Sequence, residues 1–150
     1  MRILSIGIIL LFLRVDFTWG TEIYIPPMKG KKGKSIEIPI MINQVDNLAG
    51  IKLVIRYDSK TLIFKRGIKT KYSEPLMYVI NSKKAGQLII VMAGANGISG
   101  KSFPLLKLIF EVKDIKKYDS AWIKIVEAQL VSDKLNSIKC KILGSKIKLK

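Results

Sequence analysis

GKSIEIPIMINQVDNLAGIKLVIRYD, residues 33–58, is the stretch whose reading decides the fold. Ile36, Ile38, Ile40 and Ile42 alternate with Glu37, Pro39, Met41 and Asn43. After the polar segment around Asp46-Asn47, Ile51, Leu53, Ile55 and Tyr57 alternate with Lys52, Val54 and Arg56. A period of two marks a strand with one face on a core and the other toward solvent. The stretch therefore predicts two half-buried strands joined by a turn. Pro39 gives no ladder donor, so its strand needs an open edge or a bulge at that point.

Working outward, the same pattern recurs at sandwich spacing. Further strands are expected at 22–25, 61–70, 76–81, 87–93, 104–113, 122–131 and 145–150. Turn chemistry separates them at Pro26-Pro27, Lys29–Gly33, Asp58-Ser59, Lys84–Gly86, Asn96-Gly97 and Asp133–Asn136. No segment sustains a helical period, and only Asp114–Ser120 or the Asp58–Thr61 turn has room for a brief winding. The expectation is all-β: a jelly-roll β-sandwich of about nine strands.

The N-terminus is expected to be a signal peptide over residues 1–20. Met1-Arg2 is followed by an eleven-residue apolar run, Ile3 to Leu13, and by Thr18 and Gly20 before a cut at Thr21. That run is shorter than the roughly 20 residues a membrane span needs, and Arg14 and Asp16 follow it. Residues 21–150 then form one domain, in the cell envelope or secreted, with no membrane span after cleavage. With Cys140 the one cysteine, no intramolecular disulfide can form, and packing alone must stabilise the domain. The alternating run Ile138–Ile142 marks Cys140 as a packed residue rather than a nucleophile.

The chain carries 27 basic and 11 acidic residues, a formal charge of +16. Such a field favours anionic partners, although lysine also serves simply to fill solvent faces and blunt strand edges. Nucleic acid is not expected, because the basic residues are dispersed and no recognition motif accompanies them. Catalysis has little support. The absence of histidine removes the commonest general base and a common metal ligand. The carboxylates sit at turns or exposed strand positions, and no pair is singled out for glycoside hydrolysis. Asp46-Asn47 and Asp133 lack the ligand ladder of a calcium loop. No cofactor or metal is expected.

The order of GKSIEIPI, LAGIKLVIRYDSKTLIF, KAGQLIIVMAGANGISG and LLKLIFEVKD resembles the cohesin domain, over roughly Tyr24 to Leu149. The resemblance rests on Gly33–Ile40 with Pro39, on Gly50 with Tyr57-Asp58 and Leu62, and on the strand running into Gly94–Gly100. It implies a β-sandwich, similar in fold to some carbohydrate-binding domains, that binds a dockerin in extracellular assemblies linked to polysaccharide breakdown. It also implies a binding sheet made from Ile51–Asp58, Leu76–Asn81, Gln87–Ala93 and Trp122–Val131. On those strands the expected partner-binding residues are Lys52, Val54, Arg56, Ile90 and Met92, with Ile89, Val91 and Ala93 turned inward. Leu88–Met92 is continuously apolar, so alternation alone does not fix that phase.

One departure stands out. Where many cellulosomal cohesins carry an Asp or Asn pair, this chain has Gly50 and Lys52. A cation there opposes a partner built for a carboxylate, so the expected partner is an acidic protein module or a dockerin of altered charge. Two other readings stay open: a carbohydrate-binding module using Tyr72, Tyr78 or Trp122, and a structural subunit joined through a strand edge.

Overall fold

The computed structural model describes residues 20–150, so the leader expected over residues 1–20 lies outside them, Gly20 excepted. Ten strands follow in chain order: β1 (Thr21–Tyr24), β2 (Met28–Gly30), β3 (Ser35–Tyr57), β4 (Leu62–Lys69) and β5 (Met77–Asn81), then β6 (Gln87–Val112), β7 (Ser120–Ser132), β8 (Ser137–Ile138), β9 (Cys140–Leu143) and β10 (Ser145–Leu149). Among the described residues there is no helix; 114–119 forms turns closed by Ile115 and Tyr118 N–H groups.

The turns expected at Asp46-Asn47 and after Ala93 do not end their strands. β3 and β6 instead pair antiparallel along their whole length, from Ser35 opposite Glu111 to Arg56 opposite Gln87. Register shifts fall between Val45 and Gly50, where the ribbon bends without breaking. Asn47 absorbs the bend at φ 54°, a left-handed conformation that asparagine tolerates, and its N–H donates to Ser99 Oγ at 2.8 Å. Gly97 crosses so close that a Cβ there would lie 2.5 Å from the Asn47 Cα. Only glycine fits that crossing.

The bend sends each long strand from one sheet into the other. The first half of β3 and the second half of β6 lie with β9, β1 and β4 in the order β9-β1-β3-β6-β4. The second half of β3 and the first half of β6 lie in a second sheet, β2-β10-β7-β3-β6-β5. β2, β8 and β9, of three, two and four residues, are not among the expected strands, although the alternating run Ile138–Ile142 spans the end of β8 and most of β9. β2 and β9 pair parallel to β10 and β1, contacts that local pattern cannot reveal.

Pro39 does sit at an open edge. β6 pairs it through Lys107 on one side, while on the other β1 reaches only as far as Met41. Between the sheets lie Ile38, Ile40, Leu53 and Ile55 from β3, Leu88, Leu108 and Phe110 from β6, and Ile123 from β7. Burying each such side chain contributes about 1.5–3 kcal/mol. Tyr57 is buried as its phase requires, with its ring edge-on to Phe110 at 5.0 Å. Asp58 Oδ1 accepts the Lys60 N–H at 3.1 Å, and its carbonyl accepts those of Thr61 and Leu62, so it starts the turn. Cys140 packs against the core, where burial pushes its thiol pKa up.

Candidate functional site

The second sheet brings the four expected strands together as neighbours, in the order β7-β3-β6-β5. Lys52 and Arg56 are exposed on its outer face, with Val54 half-buried between them. Ile90 and Met92 are not there. They are 0% and 1% exposed and point into the core, opposite the inward Leu53 and Ile51 of β3. The residues that reach the outer face of β6 are Ile89, Val91 and Ala93, opposite Val54, Lys52 and Gly50. The phase expected from the sequence is therefore reversed on this strand. Its physical cause is that the outward half of Leu88–Ala93 is as apolar as the inward half.

No other part of the described chain covers this surface. Met77 and Val79 on the edge strand β5 are 79% and 69% exposed, and Val91 beside Val79 is 45% exposed. Their neighbours Tyr78 and Ile80 turn the other way; the Tyr78 hydroxyl donates to the Gly67 carbonyl at 2.9 Å and fixes β5 against β4. With Ile89 and Val54, these residues make an aliphatic band across three strands. Isolated exposed aliphatics need no explanation, but a contiguous band with a polar border is the anatomy of a protein-binding patch.

The border comes from β3 and β7. A bulge between Val54 and Ile55 turns both Val126 and Glu127 of β7 outward. Glu127 Oε1 lies 3.7 Å from Lys52 Nζ, and the Gln129 amide donates to Glu127 at 2.8 Å. Lys52 is therefore partly neutralised from within its own sheet, a pair that contributes little to stability at this exposure. Arg56 stands opposite Lys124 with no carboxylate in ion-pair range among the described residues. The unbalanced positive charge thus sits at Arg56, two outward positions along the strand from Lys52.

The aromatic residues form no row. Tyr72 stacks on Phe103 at 5.2 Å beyond the β4 end, Tyr78 faces the core side of β5, and Trp122 lies outward on β7. Among the described residues no group of three or more His, Cys, Asp and Glu side chains gathers to hold a metal.

A cohesin domain family model matches residues 21–148, and the chain belongs to the cohesin domain family. No curated protein matches the chain. Among solved structures, it is similar to a non-cellulosomal cohesin from the hyperthermophilic archaeon Archaeoglobus fulgidus, at 19% identity and TM-score 0.77, covering 87% of this chain and 91% of that one. The sixth cohesin of scaffoldin B from Acetivibrio cellulolyticus, solved with a dockerin, superposes at TM-score 0.79 and 17% identity, covering 87% and 99%. A cohesin in a type I cohesin–dockerin complex from Clostridium thermocellum does so at 0.77 and 19%, covering 87% and 99%. At such identities the likeness establishes the shared sandwich and nothing finer.

Proposed function

We propose that this domain is an exported, non-catalytic binding module that receives a dockerin-type protein on the outer face of β5, β6, β3 and β7. One observation carries the reading: an uncovered aliphatic band, Met77, Val79, Val91, Ile89 and Val54, on a rigid sheet with a charged border. Solved cohesins of the same fold are in complex with dockerins, which supports the class of partner. Burying such a band against aliphatic side chains of a helical module would supply affinity, and the charged border would select among modules.

The unbalanced pair Arg56 and Lys124 asks for a carboxylate on the partner, placed beside its aliphatic contact. Gly50 adds no side chain and Lys52 is held by Glu127, so an Asp or Asn pair is not what this border offers. The domain would serve in organising extracellular proteins, among them polysaccharide-degrading ones. Calorimetric titration with dockerin-bearing proteins of the producing cell tests this. Saturable 1:1 binding, weakened about tenfold or more by Arg56→Glu, is expected. Binding that is indifferent to Arg56→Glu and to loss of Val79 would contradict it.

A further inference from the structure

Beyond β7 the outer face of the same sheet changes character. β10 turns Ile147 and Leu149 into the core, with Lys146 and Lys148 exposed in alternation with them, and β2 exposes Lys29. Register places Lys148 beside Lys29 and Lys146 beside Trp122. A groove of about 660 Å³ opens there, lined by Pro27, Met28, Lys29, Lys146 and Lys148. Trp122, 43% exposed, stands in register beside the lining residue Lys146, with Lys124 Nζ 5.8 Å from the ring centroid. Among the described residues none of these lysines has a carboxylate in ion-pair range; Asp119 nearby meets β10 through its carbonyl, which accepts the Leu149 N–H at 2.8 Å.

Like charges directly opposite on neighbouring strands destabilise a sheet. Lys29 and Lys148 are so placed, and an anion lying between them would turn that repulsion into attraction. We propose that this groove binds an acidic polysaccharide, carboxylates meeting Lys29, Lys146 and Lys148 while the apolar face of a sugar ring rests on Pro27, Met28 or Trp122. Three features favour a sugar polymer. The site pairs cations with apolar and aromatic surface, as a pyranose ring with a carboxylate requires. Lysine ammoniums are flexible point charges suited to carboxylates repeated along a chain, whereas fixed bidentate recognition calls for arginine. Pro27 and Trp122 are the exposed apolar residues at the groove, too few to anchor it in a bilayer, and a single tryptophan is not the row of aromatics that successive nucleobases stack on. The lysines of the groove lie on β2 and β10, outside the aliphatic band on β5, β6 and β3, so a bound polymer need not cover that band.

The test is titration of the full chain, with no protein partner present, against polygalacturonate, neutral dextran, inorganic polyphosphate and anionic phospholipid vesicles. Two triple variants carry the same charge change: Lys29→Glu with Lys146→Glu and Lys148→Glu, and Lys71→Glu with Lys101→Glu and Lys134→Glu. All six lysines are exposed, and thermal unfolding checks that both variants fold. The groove variant is expected to bind polygalacturonate at least about tenfold more weakly, the other to stay within about threefold, with affinity falling as salt rises. Polygalacturonate should bind tighter than polyphosphate of matched charge, and dextran not at all. Equal loss in the two variants would mean net charge alone and overturn the proposal. Equal or tighter binding to polyphosphate, or to anionic phospholipid vesicles, would overturn it too.

Discussion

Val79 of β5 and Val91 of β6 stand directly opposite each other, 69% and 45% exposed, on the outer face of a sheet whose inner face is closed by Ile90 and Met92. Two exposed valines in register on neighbouring strands bury apolar area only if something from outside covers them. That relationship separates the residues that hold the fold from those left free to bind.

Adjacent residues on β6 should therefore respond in opposite ways to the same substitution. Val91→Asp places its charge in solvent and is expected to change stability by no more than about 0.5 kcal/mol. It should cost partner affinity about tenfold or more, as loss of a central apolar contact does. Met92→Asp puts an unpaired carboxylate into the core and is expected to prevent folding or cost several kcal/mol. Urea denaturation and calorimetric titration of the two variants check this.

The bend of the long ribbon gives a second contrast. In Gly97→Ala the new methyl would meet the Asn47 backbone at 2.5 Å, and backbone cannot swing aside as a side chain can. A loss of about 1–3 kcal/mol is expected. In Gly50→Ala the nearest atom is the Val131 Cβ at 3.6 Å, an ordinary contact, so stability should hold or rise slightly. Thermal melts of both variants decide it.

Cys140 supplies a pH dependence with a fixed sign. Burial raises its thiol pKa above the ordinary value of 9.0, so the folded chain keeps this proton longer than the unfolded one. As pH rises past 9.0 the unfolded state releases its proton first, and this residue's share of stability falls. Below that pH the share is fully present. Wild type should therefore lose more stability between pH 8 and pH 10 than Cys140→Ala, measured by urea denaturation. An equal loss in the two would contradict the assignment.

Residues 33–58 showed the sandwich plainly because each strand half buries one face, and Pro39 marked the open edge correctly. What stayed hidden has a physical reason in each case. Asn47 lets the chain bend without leaving the ladder, so a local turn signal became a crossing between sheets. β2 and β9 exist through parallel partners far away in sequence. Most instructive is Leu88–Ala93, where alternation vanished and the phase was read backwards. Ile89 and Val91, the apolar outward residues that erased the period, are the part of the exposed band that β6 supplies. Met77–Asn81 carries the same signal, an edge strand without a single charge.

The most direct measurement immobilises the full chain, captures secreted and envelope proteins of the producing cell, identifies what is held, and titrates that protein against wild type, Val79→Asp and Val91→Asp. The account expects one dockerin-bearing partner, bound 1:1 by wild type and lost by both folded variants. A partner bound equally well by all three, or the absence of any dockerin-bearing partner, would contradict the claim that this face is the binding site.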